Sequence, residues 1–319
     1  PPVDDPCRVV AGVTDRSLLA RAIEPEDFPE LGLLLVSRIM FEGYEERNER
    51  TGKAIRALPH GCSFTINLAD GALPVTDRRR LYPATAAAET AWYVQATQDP
   101  EFMLKYARVT WEKFLEPAYP PPTEEGQGVG WSLTVPLIVK AAYGYRWRKH
   151  FGRDQLMLGV EALRANPSDR RVYISAWDPA EDGLGMKGQL NVPCPVGFTL
   201  SIAEGRLNGT FLLRSSDVFV GLPYDVMGHA LLMDAIAASL GVGLGHMTFT
   251  LAHPHIYDVH FDMADHFVKQ ETVMDEFVQL PKWTLEKIEM FPDDYVAMMK
   301  ARAGQVVWPM YAPRPEVVQ

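Results

Sequence analysis

Residues Leu190 to Asp225 constrain this chain more than any other stretch, because they read as two strands and a turn that carry reactive groups. The first run, LNVPCPVGFTLSI, sets Cys194 between Pro193 and Pro195 at the head of an apolar segment. The second, GRLNGTFLLRSSDVFVGLPYD, closes its strand on Arg214-Ser215-Ser216-Asp217 and turns through Gly221-Leu222-Pro223-Tyr224-Asp225. β-Branched and aromatic residues bounded by Gly and Pro make strands the expected form. A thiol, a guanidinium with hydroxyls suited to an anion, and two acids thus fall within one short piece of sheet. A lone cysteine is ordinarily core and a charge cluster is ordinarily solvated. Their order along the chain argues for a site.

The chain has 319 residues, 47% hydrophobic and 23% charged, which is ordinary for a soluble globular protein and long enough to bury a sizeable core. A net charge of −10 argues against general nucleic-acid binding, which needs a basic surface, but leaves room for a local arginine pocket. The cysteines, at 7, 62 and 194, form no C-x-x-C pair, so neither a disulfide framework nor a zinc site is expected. That usage fits a reducing compartment. No apolar run approaches the ~18 residues of a membrane span. PPVDDPCRVV lacks a charged region ahead of an apolar stretch. The expectation is a cytoplasmic protein.

Along the chain, Leu31 to Val36 is a short apolar run that periodicity cannot assign to strand or buried helix. Phe64 to Leu68 reads as a strand, and ATAAAETAWYVQ (84–95) as a helix. That helix carries one acid, Glu89, among small and aromatic residues; a charge on such a helix must be paired or functional. Arg78-Arg79-Arg80 reads by itself as solvated surface. Residues 117–130 are a Pro/Gly-rich loop or insertion. A helix is expected over Gln155 to Ala165, a turn at Asn166 to Asp169, and a strand over Val172 to Trp177. Met227 to Leu240 has helical spacing and ends at Gly241 and Gly243, and Met247 to Leu251 leads as a strand toward His255 and Tyr257. His253, His255 and His260 have no acid at ligand spacing, so no metal site is expected.

The order of pieces in Leu190–Asp225 resembles the thymidylate synthase family. There a Pro-Cys strand is followed by Arg-Ser-x-Asp-x-x-x-Gly-hydrophobic-Pro-aromatic-Asn. His253-Pro254-His255-Ile256-Tyr257 is similar to that family's Asp-x-His-Ile-Tyr, and Arg50-Thr51-Gly52 to its phosphate-loop Arg-Thr-Gly. Ser168-Asp169-Arg170-Arg171, followed by Ser175-Ala176-Trp177, is similar to its paired-arginine strand; Tyr143-Gly144 and Trp147-Arg148 also fit. The resemblance runs from Arg50 to Tyr257. The family's base-reading Asn is Asp225 here, as in the cytidylate and deoxycytidylate 5-hydroxymethylase branch. Pro195 stands where synthases have His, and Leu213 where they have Gln. The length and the Pro-rich insertion are most like the CMP 5-hydroxymethylase of nucleoside-antibiotic pathways.

The resemblance implies an α+β fold, a twisted mixed sheet covered by helices, as one catalytic domain over 1–319. Two such sheets would pack face to face in a homodimer. It implies Cys194 as nucleophile, Tyr143 at the proton-removal step and Glu89 organising water near C4 of the pyrimidine. Arg50, Arg214 and Ser215 would hold the phosphate, joined by Arg170 and Arg171 of the second subunit. His255 and Tyr257 would bond the ribose. Trp111, Asp217, Gly221 and Arg78 would face a reduced folate, 5,10-methylenetetrahydrofolate, with Asp217 on the pterin. The C-terminal Val317-Val318-Gln319 would close over the ligands.

The chemistry follows from the residue types. Adding a thiolate to C6 makes the pyrimidine C5 enamine-like, which divides one hard step into easier ones. A carboxylate at Asp225 accepts from cytosine N4–H and, once N3 is protonated, from N3–H; opposite uracil it would face O4, acceptor to acceptor. A CMP 5-hydroxymethyltransferase is the expectation. A dCMP hydroxymethylase and a (d)CMP 5-methyltransferase are the alternatives within enzymes. A non-catalytic nucleotide- or RNA-binding protein on the same fold is the alternative of another class.

Overall fold

A computed structural model describes residues 16–47, 52–76, 78–118, 135–185, 190–269 and 277–305. The helices, in order, are α1 (Phe28–Glu42), α2 (Pro83–Gln95), α3 (Glu101–Trp111), α4 (Tyr143–Tyr145), α5 (Gln155–Ala165), α6 (Gly221–Leu240), α7 (Phe261–Val268), α8 (Leu285–Met290) and α9 (Pro292–Ala303). The strands are β1 (Ala22–Ile23), β2 (Tyr44–Arg47), β3 (Ala54–Ala57), β4 (Cys62–Asn67), β5 (Glu116–Pro117), β6 (Leu137–Ile138), β7 (Tyr173–Ser175), β8 (Pro195–Ala203), β9 (Arg206–Leu213), β10 (Ser216–Asp217), β11 (Gly243–Leu251) and β12 (Pro254–Tyr257). The fold is α+β. A six-stranded sheet runs β1-β4-β11-β9-β8-β7, with β1–β4 and β11–β9 parallel and the other pairs antiparallel. A second, four-stranded sheet runs β10-β12-β3-β2.

Period-two alternation decides which face of the large sheet is core. Phe64, Phe249, Phe211 and Phe198 stand directly opposite one another across β4, β11, β9 and β8. Their ring centroids are 5.5, 5.4 and 5.1 Å apart along the row. Each such pair adds about 1 kcal/mol beyond its area burial. Helix α6 lies on this face; His229 meets Phe211 at 4.5 Å and Phe249 at 5.6 Å. It is buried nearly all round, from Leu222 to Ala237, as expected of a central helix. The opposite face carries short hydroxyls: Ser63 bonds Thr250 at 3.1 Å and Thr65 bonds Thr248 at 2.9 Å.

One open reading is resolved and one changes. Leu31–Val36 is helical, inside α1: Pro29 sits in its first turn, where a missing N–H costs nothing, and the run is long enough to bury Leu31, Leu35 and Ile39 completely. Gly221–Asp225 is not a turn before a helix but the start of α6 itself. Pro223 is tolerated there for the same reason. The turn lies one step earlier, where Asp217 Oδ1 accepts from the N–H groups of Phe219 and Val220, both at 3.1 Å. Most of the Pro/Gly-rich stretch, the Arg50-Thr51 pair and Val317–Gln319 lie outside the described residues.

Gly144 shows how tightly the site is assembled. A Cβ there would stand 2.0 Å from the Tyr93 carbonyl oxygen and 2.3 Å from its Cα, so α4 can approach α2 only through a glycine. Gly144→Ala should lower the unfolding free energy by roughly 3 kcal/mol, read as a fall in the denaturant midpoint at unchanged slope. A wild-type midpoint would show that the two backbones are not held in contact.

Candidate active site

Strand pairing sets the Cys194 backbone beside that of Arg214. Pro195 pairs with Leu213, and Arg214 N–H donates to the Cys194 carbonyl at 3.0 Å, continuing the ladder by one step. Pro195 has no N–H, and the register shifts between Pro195 and Gly197, as proline in a sheet requires. The Arg214 side chain folds back on the same loop. Its Nε donates to the Pro193 carbonyl at 2.8 Å and Nη2 to the Val192 carbonyl at 3.1 Å, with the guanidinium 5.5 Å over the Trp177 ring. The other described thiol, Cys62, sits within β4 and is pushed up to about 11 by burial, which makes it inert.

Tyr143 stands among Cys194 and two acids. Tyr143 accepts a backbone hydrogen bond from Cys194, and its hydroxyl is raised well above the tyrosine range by burial first and then by the charges of Cys194, Asp225 and Glu89. Glu89 accepts from Trp111 Nε1 at 2.8 Å. Burial lifts its pKa to about 7 against the lowering effect of that bond. Asp225, in the second turn of α6, is lifted to about 8 by burial, then by Glu89 and Asp217. At neutral pH its carboxyl therefore holds a proton in the free protein, whereas its residue type alone suggested a carboxylate. His229 Nδ1–H donates to the Asp225 carbonyl at 2.6 Å, and burial depresses that imidazole to about 4, so it stays neutral.

The small sheet supplies the next wall. β10 pairs with β12 in parallel, placing Asp217 opposite His255. His255 is buried, its Nδ1–H donates to the His253 carbonyl at 3.1 Å, and its ring meets that of Tyr257 at 5.1 Å. Oδ1 of Asp217 is thus spent on the turn. Gly221 keeps this corner open: a Cβ on it would lie 3.8 Å from Asp217 Cβ and 4.0 Å from Asp225 Oδ2. Lys113, half-buried and lowered by burial and by Lys53, feels the opposing pull of Asp217.

The remaining expected residues lie away from Cys194. Arg78 is 4% exposed under α1, with Nη2 on Glu30 at 3.0 Å. It is Arg79 that meets the start of α6, donating to the Val220 carbonyl at 3.0 Å between the Phe219 and Tyr224 rings. Arg170 and Arg171 are exposed at the edge of the large sheet, and Arg171 pairs with Asp169 at 2.8 Å. Among the described residues neither bonds the Cys194 pocket. The residue that sequence reasoning passed over is Tyr93, buried beside Tyr143 with ring centroids 5.4 Å apart. Its signal was its position four residues after Glu89 on one helix.

His150, Asp178 and Glu181 place ligand-type atoms within 4.8 Å of one another. Their positive charge is Arg146, wholly buried, with Nη1 2.8 Å from His150 Nε2 and Nη2 2.9 Å from Glu181 and 3.2 Å from Asp182. A guanidinium already fills the role of a cation there. Among the described residues, no helix is long and apolar enough to cross a membrane.

The raised acids predict how stability depends on pH. Folded values of about 8 for Asp225 and about 7 for Glu89 exceed the ordinary carboxylate values of 3.8 and 4.5. Stability from these groups is therefore complete below the ordinary carboxylate range and is lost as pH rises through about 7 and 8. Asp225→Asn should melt above wild type at pH ~9, by a margin worth on the order of a few kcal/mol, and the margin should shrink toward pH ~5. A margin independent of pH would mean Asp225 ionises as an exposed acid does.

Compared with models of known protein families, residues 33–302 match the one described as Thymidylate synthase.

Proposed function

This chain belongs to the thymidylate synthase family, and on that premise we propose that it is a CMP 5-hydroxymethyltransferase. The observation that carries the reading is Asp225: a half-buried acid, proton-bearing near neutrality, in the same pocket as Cys194, Tyr143 and Glu89. An acid whose pKa lies near the working pH is suited to proton transfer.

In this reading the Cys194 thiolate adds to C6 of cytosine, favoured by the Arg214 guanidinium folded against the same loop. As it adds, N3 becomes basic and takes the Asp225 proton. The resulting N3–H and N4–H donors then face two carboxylate oxygens in a charge-assisted fork. A uracil adduct offers one donor and one acceptor, so one oxygen of Asp225 would oppose O4. A buried mismatch of that kind discriminates by a factor on the order of 10⁴. Tyr143, bonded to the Cys194 backbone, serves removal of the C5 proton. Glu89, held by Trp111, serves the water that completes the hydroxymethyl group.

Arg214 and Ser215 hold the phosphate with Arg50, and His255 and Tyr257 the ribose. Arg170 and Arg171, exposed ahead of the edge strand β7, reach the phosphate of a second copy in a homodimer. Asp217 and Gly221, with Trp111 on the Glu89 side, suit a reduced folate: a carboxylate for its amino-pyrimidine donors, and Lys113, which interacts with both Asp217 and Lys53, for its anionic tail. Bound there, 5,10-methylenetetrahydrofolate supplies the one-carbon unit.

The test is a panel of CMP, dCMP, UMP and dUMP with methylenetetrahydrofolate, read by product mass. CMP gaining CH₂O is the expected result. A gain of CH₂ would make the protein a methyltransferase, a preference for dCMP would move the substrate, and no tritium release from C5-tritiated CMP would make it a binding protein.

A further inference from the structure

The mechanism above uses one of two adjacent phenols. Tyr93 follows Glu89 by four residues on α2, so the two side chains share a helix face one turn apart. Its ring centroid lies 5.4 Å from that of Tyr143 and 5.4 Å from that of Trp147, which meets it edge-on. The missing Cβ of Gly144 is what lets the Tyr143 segment press against the Tyr93 backbone. The Tyr93 hydroxyl is thereby brought within the field of Glu89, Tyr143 and Asp225. A phenylalanine would meet the packing need of an aromatic site such as this. The hydroxyl adds a polar group at 7% residue exposure, and a buried phenol ordinarily has a partner.

We propose that the Tyr93 hydroxyl, with Glu89, holds the water whose oxygen becomes the hydroxyl of the hydroxymethyl product; this rests on the hydroxymethyl reading above. Tyr93 O–H donates to the water oxygen and the Glu89 carboxylate accepts one of its hydrogens. One oxygen lone pair is left for the methylene carbon carried on C5. In the step, the water O–C bond forms, the Glu89 carboxylate takes the proton, and the methylene π pair moves onto the ring. C5=C6 then re-forms as the S–C6 bond breaks and Cys194 leaves as thiolate. No oxidant or reductant is needed. Burial and the three neighbouring charges keep Tyr93 protonated well above the tyrosine range, so it remains a donor.

Tyr93→Phe tests this with readouts that packing alone would not separate. Affinity for CMP without folate, by calorimetry, and the rate of tritium release in a single turnover, with enzyme in excess over C5-tritiated CMP and methylenetetrahydrofolate present, should each stay within about threefold of wild type, while the rate of hydroxymethyl product formation falls about a hundredfold. Added 2-mercaptoethanol should then trap the waiting methylene as a thioether on C5. Tyr143→Phe should instead lower tritium release and product together. Product still matching tritium release one for one in Tyr93→Phe would overturn the proposal. So would a joint loss of tritium release and product, or a loss of CMP binding, each of which marks a packing role. A wild-type product gaining CH₂ overturns the hydroxymethyl reading and this assignment with it, an outcome visible before any variant is made.

Discussion

Cys194→Ser should abolish turnover, by ~10⁴-fold or more, while CMP binding persists. The thiolate is the group that forms the bond to C6, and a serine hydroxyl near neutrality is almost wholly protonated and a far weaker nucleophile. The structure gives reason to expect that the variant folds. Cys194 is half-buried just ahead of β8, and the contacts holding its loop are made by backbone, through the Arg214 N–H on the Cys194 carbonyl and the Arg214 side chain on the Pro193 and Val192 carbonyls. Exchanging sulfur for oxygen leaves all three. The residues assigned to recognition, Arg214, Asp225 and His255, are untouched. Calorimetry with CMP and a product assay by mass make the pair of measurements. Product at more than a trace in the serine variant would rule out addition at C6, and lost binding with retained fold would make Cys194 a recognition group.

Asp225→Asn should exchange substrates. CMP turnover should fall by roughly 10³-fold or more and turnover of UMP or dUMP should rise above the wild-type level. The amide can donate to O4 and accept from N3–H, but it has no proton to give to N3 as the thiolate adds. The loss should therefore appear in kcat/KM with kcat falling too, the signature of a contact made in the transition state. Packing should hold, because a protonated carboxyl and an amide are close in size and in charge, and the neighbouring His229 bond is to the backbone carbonyl. The alternative is that Asp225 merely serves the first turns of α6; then the amide would keep the preference for cytosine. Unchanged selectivity for CMP over UMP would sink the base assignment and the choice of a cytidylate substrate.

What could be read without coordinates was whatever depends on neighbours in the chain or on simple strand pairing. β-Branched and aromatic residues bounded by Gly and Pro gave the two strands that flank Cys194 and Arg214, and the structure pairs them antiparallel. The small-residue run around Glu89 gave its helix. One reading failed and one stayed open where a local pattern fits two states. Pro223 with Gly221 serves a turn or a helix start equally well, and the Leu31–Val36 run is apolar on every face, so no period is visible in it.

By itself the sequence determined the strands on either side of Cys194, the helix bearing Glu89 and the set of groups assembled between Arg50 and Tyr257, because residue type and spacing act at short range. Only the tertiary structure decided their states. Asp225 holds its proton because α2 brings Glu89, and the β10 turn brings Asp217, into one water-poor pocket. Tyr93 joins that pocket because Gly144 admits α4. Arg78 is withdrawn under α1 while Arg79 takes the place beside α6. Desolvation and the summed field of charges depend on which distant segments pack together, and no window of sequence contains them.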